Sequence, residues 1–458
     1  MSQHVSVEVL TAGEAEAAQR RAAGSFRALG LRPGDRVAFS LPSSGLLLCA
    51  VLGALRIGVV PVLLNATLVA SERDDLIADA EPQLIIGDLE HLAMLDTGAP
   101  VELAPFPLGR PMHYTSGTTG RSKGVWSGLW DADLAAAAFA DEADQWSFGP
   151  NDVHLVCSPM YHSVSIRFAG GTLLRGGTCV ILSRFDATVA REVLRGDHGP
   201  VPTTTFMAPA ALQRLLEVTG AGPDRFDSLR LLVHAGSPCP PALKRAAVRR
   251  VGTDVLWEFY GSTEGQFTVC STEEWEARPG TVGRARPGRT ISVDGDGTIW
   301  CRPPDFARFS YWRDEAKTAS AWKGGAFTVG DLGRLDADGY LFIDGRRDDL
   351  IISGGVNVYP AEVEAVLSEM NGIGEVAVFA VPDDRWGQRV CAAVVCAAGR
   401  GIAGEDGAAT LIEAVRAHAE SRLAGYKRPK QYVVLEALPR TATGKVQRSL
   451  IPSMVDFG

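Results

Sequence analysis

Cysteine pairs at metal or redox spacing are missing from this sequence. Cys49, Cys157, Cys179, Cys239, Cys270, Cys301, Cys391 and Cys396 form no C-x-x-C pair and have no histidine at zinc-finger spacing. A small disulfide scaffold and a zinc finger are thereby excluded, and the thiols are expected to be reduced and mostly buried. An excess of basic charge is missing as well. With 45 Lys and Arg against 54 Asp and Glu, a formal charge of −9 and a pI near 5.5, the chain lacks the positive face with which a general nucleic-acid binder neutralises phosphates. The opening stretch MSQHVSVEVLTAGEAEAAQRRAAG has neither the charged start nor the apolar centre of a secretory signal. No export is expected from it, and a reducing cytoplasm suits the cysteines. Long apolar runs are also interrupted. The nearest, Gly45 to Leu64, is broken by Arg56, Gly58 and Pro61, and reads as a buried helix followed by a strand, not an integral membrane segment. No internal repeat is evident.

What is present is the composition of a globular protein, 46% hydrophobic and 22% charged. At 458 residues the chain exceeds one ordinary core, so a large domain with at least one smaller one is expected. Helix and strand patterns alternate from the start. Thr11 to Leu29 reads as an amphipathic helix stopped at Gly30, and Arg36 to Ser40 as a strand. The segments Ser44 to Ile57, Val59 to Leu64, Ser71 to Ala80 and Leu84 to Ile86 continue the alternation of a layered α/β domain. Further strands are expected at Val153 to Cys157, Thr178 to Leu182, Thr203 to Met207 and Leu229 to His234, with a helix at Ala210 to Thr219. From Gly280 to Asp344, short apolar runs punctuated by Gly-Asp and Asp-Gly predict a small β-rich subdomain. Helix then returns at Pro360 to Met370 and Thr410 to Leu423, with strands at Val376 to Val381 and Ala392 to Cys396, a compact α+β unit.

The segment YTSGTTGRSKGV, from Tyr114 to Val125, can wrap phosphate. Its glycines let backbone N–H groups approach oxygens, its hydroxyls add donors, and Lys123 supplies charge against a polyanion. It is not a Walker loop, because the serine precedes the lysine. Tyr260-Gly-Ser-Thr-Glu-Gly265 places an aromatic face, a hydroxyl and a carboxylate around a tight turn, groups suited to adenine, phosphate and Mg²⁺. Each reading has a plain alternative: a solvated linker for the first, an ordinary loop carboxylate for Glu264.

The first segment resembles the phosphate loop of the adenylate-forming superfamily, which includes acyl-CoA synthetases, firefly luciferase and peptide-synthetase adenylation domains. The later signatures follow in order: HAGSP, YGSTEG, FTVGDLGRLD, GRRDDLIISGGVNVYPAEVE and LPRTATGKVQR. The resemblance implies an N-terminal adenylation domain over 1–347 and a mobile C-terminal domain over 348–458, hinged at Asp348. It implies nucleotide contacts at Thr115, Ser116, Gly117, Thr118, Thr119, Gly120 and Lys123. Gly236, Ser237 and Pro238 would cover one adenine face and Tyr260 the other, with Gly261 lining the acyl pocket. Thr263 would meet the α-phosphate, Glu264 hold Mg²⁺, Asp331 the ribose hydroxyls and Arg346 the ribose and phosphate side. Gly354 and Gly355 would line a coenzyme A tunnel, His162 position the acyl group, and Lys445 act in adenylation.

For His162 a satisfied core histidine stays open. The implied activity is acyl-CoA synthesis from a carboxylic acid, ATP, Mg²⁺ and coenzyme A. A stand-alone adenylating enzyme that serves a carrier protein, an amine or another nucleophile is the alternative. No aspartate follows His162 where amino-acid-activating relatives hold the α-amino group, which favours coenzyme A. The partners implied are the acid and coenzyme A, with no nucleic acid and with a homodimer left open. The basic run from Tyr426 to Lys430 is read equally as a contact for coenzyme A phosphates or as a solvated loop. Asp88 to His113 is shorter than the family usually has, which puts pocket depth in doubt.

Overall fold

The computed structural model describes residues 5–115, 123–219, 225–353, 356–383, 386–397, 404–440 and 446–455. The chain divides into two compact units, Met1–Ile291 with Cys301–Phe327, and Ser292–Trp300 with Thr328–Gly458. The strands expected between Gly280 and Asp344 form, but they are shared between the two units and make no separate subdomain.

The first unit carries two sheets. One runs in the order Val7–Thr11, Thr178–Leu182, Val153–Val156, Thr204–Phe206, Leu231–His234, Leu256–Gly261, Gln266–Ser271 and Thr281–Ala285. Its middle strands, from Thr178–Leu182 to Leu256–Gly261, pair in parallel. They read as unbroken apolar runs because helices cover such strands on both faces. The first of the eight, Val7–Thr11, pairs antiparallel with Thr178–Leu182; its short alternation at the chain start gave no strand in the sequence reading. The second sheet runs Ser310–Tyr311, Lys123–Trp126, Met112–Thr115, Val60–Leu63, Arg36–Phe39 and Leu84–Ile86.

Local chemistry fixes the helix starts. Thr11 and Glu14 form a reciprocal capping box ahead of Ala12–Ala28, and Ser44 accepts the N–H of Leu47 at 3.1 Å ahead of Gly45–Leu55. These two helices pack so closely that a Cβ on Gly53 would lie 2.6 Å from the Gln19 carbonyl oxygen. Only glycine allows that approach. The largest core joins both helices to Val37, Phe39 and Leu63 of one sheet and to Val156, Cys179 and Ile181 of the other.

The second unit contains the antiparallel pair Asp331–Leu335 and Tyr340–Arg346. It also holds a sheet ordered Val356–Val358, Ile351–Ser353, Gly387–Cys396 and Ile373–Asp383, with Gln431–Val434 beside Gly387–Cys396. Helices Pro360–Leu367 and Gly404–Arg422 cover its core around Val363, Leu367, Val415 and Ala419. The fold is therefore mixed α/β with a large N-terminal and a small C-terminal part. All eight cysteines are free. Among the described residues no helix is long and apolar enough to cross a membrane.

Candidate active site

In open parallel sheets, ligands gather beyond the carboxyl ends of the strands. In the first unit those ends carry the sequence-expected residues. Leu231–His234 runs out into exposed Gly236, Ser237 and Pro238, where Gly236 takes φ of +94°. Leu256–Gly261 ends on Tyr260 and Gly261, and a turn closed by the Ser262 N–H on the Gly265 carbonyl at 2.8 Å presents Thr263 and Glu264. Tyr260 lies against Phe267, ring centroids 4.8 Å apart. A Cβ on Gly265 would sit 2.7 Å from the Phe327 ring, so the turn is packed as well as hydrogen-bonded.

Glu264 is only 7% exposed. Its Oε1 accepts the Tyr311 hydroxyl at 3.0 Å, and its backbone carbonyl accepts Arg110 Nη1 at 3.3 Å. Oε2 has no hydrogen-bond donor named for it among the described residues. Tyr311 also receives Lys123, whose Nζ is 5.7 Å from the ring centre. Lys123 stands in register opposite Thr115. Burial lowers its pKa first and the ammonium of Lys317 second, with Asp314 and Glu264 acting the other way. Two ammonium groups are thus held close together beside an acid, an arrangement that a polyanion would relieve.

His162 caps helix Ser163–Leu174 by position, without a side-chain cap bond, and its ring lies 4.4 Å from Tyr161. Beneath it, His113 Nδ1 donates to the Tyr161 carbonyl at 2.9 Å. Burial holds His113 neutral, with its pKa lowered to about 3.

In the second unit, Asp331 and Arg346 face each other across the antiparallel register, Arg346 Nε 3.0 Å from Asp331 Oδ1. Asp331 is buried, whereas the Arg346 side chain keeps 40% of its exposure. Asp348 falls in the short 3-10 turn Arg347–Asp349. Ser116, Gly117, Thr118, Thr119, Gly120, Gly354, Gly355 and Lys445 lie outside the described residues.

The basic run after Tyr426 is spent within its own unit. Lys427 pairs with Glu362, Arg428 donates to the Leu423 and Glu420 carbonyls at 2.7 and 2.8 Å, and Lys430 donates to the Gly425 carbonyl at 2.9 Å. Of these, Arg428 finishes the helix Gly404–Arg422, whose last carbonyls attract cations.

Four residues escaped the sequence reading: Tyr311, Lys317, Arg110 and Arg167. Tyr311 and Lys317 carry no local signature, because their neighbours are made by sheet pairing and not by sequence spacing. Arg167 was legible in principle as the one charge inside the otherwise apolar helix SVSIRFAGGTLL.

Among the described residues no group of three or more His, Cys, Asp or Glu is arranged to hold a metal. A lone buried carboxylate with one oxygen engaged suits Mg²⁺ that arrives largely ligated by water and phosphate.

The matching family models fit this geometry. The AMP-binding enzyme family matches residues 4–104 and 111–304, and the AMP-binding enzyme C-terminal domain matches residues 362–445. The chain belongs to the AMP-binding enzymes, the adenylate-forming superfamily. Its class is that of AMP-forming acid–thiol ligases of the acyl-CoA synthetase kind, which use ATP, Mg²⁺ and coenzyme A.

The chain is similar to a long-chain-fatty-acid–CoA ligase of Mycobacterium tuberculosis, 29% identical over 96% of this chain and 92% of the relative. It is similar to an indoleacetate–CoA ligase of Aromatoleum aromaticum, 30% identical over 95% and 91%. Among solved structures, o-succinylbenzoate coenzyme A synthetase from Bacillus subtilis in complex with ATP and magnesium superposes with a TM-score of 0.80. That protein is 28% identical over 95% of this chain and 93% of its own.

Proposed function

We propose that this protein joins a carboxylic acid to the α-phosphate of ATP, expelling pyrophosphate, and then transfers the acyl group from AMP to the thiol of coenzyme A. The observation that carries the proposal is Glu264, buried and fixed by Tyr311 at a strand end beside Lys123 and Lys317. Two anions must meet in the first step, so the protein's task is electrostatic and positional.

Lys123, with Lys317 beside it, offsets charge on the phosphates leaving as pyrophosphate. Glu264 would hold Mg²⁺, which supplies Lewis-acid stabilisation of phosphate oxygens when bound. Tyr260 with Gly236, Ser237 and Pro238 receives adenine, Thr263 the α-phosphate, Gly261 and His162 the acyl group. Asp331, paired with Arg346, accepts the ribose hydroxyls. Lys445 brings positive charge to the reacting carboxylate and α-phosphate.

In the second step the residues after Asp348 turn about it, withdrawing Lys445 and opening the way past Gly354 and Gly355 to the thiol. The thiolate attacks the acyl carbon, the acyl–phosphate bond breaks, and AMP leaves with the electron pair. We place the enzyme in the cytoplasm, a reading supported by its eight free cysteines.

The reading is tested by hydroxylamine trapping. Enzyme, ATP, Mg²⁺ and a preferred acid should yield the acyl hydroxamate and stoichiometric pyrophosphate without coenzyme A. Pyrophosphate release without hydroxamate, or ADP in place of AMP, would contradict it.

A further inference from the structure

The helix that starts after His162 carries one cation, which has an ion pair but, among the described residues, no hydrogen bond from the protein. Arg167 approaches Glu142 Oε2 only to 3.5 Å and lies 5.6 Å from the Phe259 ring centre. Its guanidinium donates no hydrogen bond among the described residues, and its Nε is buried without a partner. Glu142 is already engaged. Oε1 accepts Trp146 Nε1 at 3.0 Å, and Oε2 accepts Gln266 Nε2 at 3.1 Å and Arg286 Nη1 at 3.2 Å. Asp141 is taken as well, by Arg286 Nη2 at 2.9 Å and by both terminal nitrogens of Arg289.

Around these two carboxylates stand four guanidinium groups, because Arg110 adds its charge to the same field and is held only by the carbonyls of Glu264 and Arg308. Burial first and the nearby Arg167 second lower the Arg110 pKa to about 10, yet both arginines stay charged at neutral pH. Buried cations that outnumber the acids they share are costly unless a further anion meets them.

Other unsatisfied polar atoms sit on the same elements. Ser262 Oγ and Gln266 Oε1 are buried without partners next to Gly261 and Glu264, and His113 Nε2 lies so beneath Tyr161. Of these only the Ser262 hydroxyl can donate, since Gln266 Oε1 accepts and His113 Nε2 accepts in the tautomer that donates from Nδ1; Ser262 lies on the turn proposed to receive the acyl group. The phosphates have separate charge at Lys123 and Lys317.

From this geometry we infer that the acid carries a second carboxylate, which Arg167 grips with the Ser262 hydroxyl on the neighbouring turn, so that dicarboxylic acids are the preferred substrate class. Arg286 and Arg289 hold Asp141 and Glu142 in place, which keeps those acids from closing on Arg167. Arg110, bonded to the Glu264 carbonyl, links the charged floor to the turn that holds the magnesium-binding carboxylate. The inference rests on the acid-activating function proposed above and names its substrate.

The test uses matched pairs: butyrate with succinate, hexanoate with adipate, phenylacetate with phenylenediacetate. Pyrophosphate release gives kcat/KM for each, and calorimetry gives diacid binding without turnover. In the wild-type protein at least one diacid should exceed its monoacid partner by about tenfold or more. R167Q should erase that preference through KM, and R167K should restore part of it. Calorimetric heat for the best diacid should vanish in R167Q and persist in R167K.

Monoacid preference in every pair, or equal losses for both members of a pair in R167Q, overturns the inference while leaving acid activation standing. Diacid binding that needs Arg167, without pyrophosphate release from any acid, supports the inference and removes the proposed function.

Discussion

Arg286 and Arg289 on one side of Asp141 and Glu142, and Arg167 and Arg110 on the other, are alike in charge and unlike in company. The first pair is 1% and 4% exposed in its side chains and donates from its terminal nitrogens to Asp141 and Glu142, although each Nε is buried without a partner, as in Arg167. The second has one distant carboxylate contact and two carbonyls between its members. Glu142 registers the crowd: burial pushes its pKa up, but Arg167 and Arg286 pull harder and leave it below the usual carboxylate range.

His234 sharpens the lesson. Both its ring nitrogens are buried without partners, but burial drives its pKa down to about 4, so it simply sheds the charge. Arginine has no such exit. A buried arginine that shares its one acid and donates no hydrogen bond therefore points to a missing anion, whereas a partnerless buried histidine does not.

Breaking the satisfied half should cost most in stability. Arg286→Leu strands buried carboxylate and should destabilise the first unit by about 3–5 kcal/mol, read from denaturant midpoints. Arg167→Leu should cost about 1 kcal/mol or less and act instead on substrate choice. Equal destabilisation by the two would erase the distinction.

Lys445→Ala should reduce pyrophosphate release by about 10²-fold or more while sparing transfer from a preformed adenylate to coenzyme A. Equal loss of both half-reactions would refute that division.

Acid should expose the histidine term. His113 and His154 titrate near 3 and His234 near 4 in the folded chain, against 6.5 for an unperturbed imidazole. Between those values the unfolded state binds more protons. Their contribution is complete above pH 6.5 and is lost as pH falls towards the folded pKa, about 2 kcal/mol per histidine at pH 5. Urea midpoints at pH 7 and pH 5 measure this, and a midpoint that does not fall would mean these rings are not buried neutral.

The smallest effect is expected at Lys317. Lys317→Ala should raise the KM for ATP by a few-fold, about 1 kcal/mol, and raise the Lys123 pKa in free enzyme. An unchanged KM would leave Lys123 as the sole phosphate cation of the pair.

The parts of the site that lie along the chain were legible from sequence. HAGSP and YGSTEG each follow one strand end, so their motifs are whole in the sequence. What joins one loop to another was not. Tyr311 reaches Glu264 because Ser310–Tyr311 pairs with Lys123–Trp126, a long-range register that no local pattern encodes. The same holds for the arginine floor, which Asp141 and Glu142 of helix Ala132–Trp146 assemble from distant segments.

The β-rich stretch after Gly280 was visible as strands, but its division between two units was not, because turn spacing specifies hairpins and not the body to which each hairpin docks. The strand Ile373–Asp383 also runs longer than Val376 to Val381. Its ends are held by backbone pairing with Gly387–Cys396, with Ile373 the apolar side chain there that also meets the core.

The most direct measurement is carboxylate-dependent pyrophosphate release from ATP and Mg²⁺, with and without coenzyme A, across mono- and dicarboxylic acids. Acyl-CoA formation coupled to release that accelerates when coenzyme A is added is the predicted result. Release indifferent to coenzyme A, with no thioester formed from any acid, would contradict it.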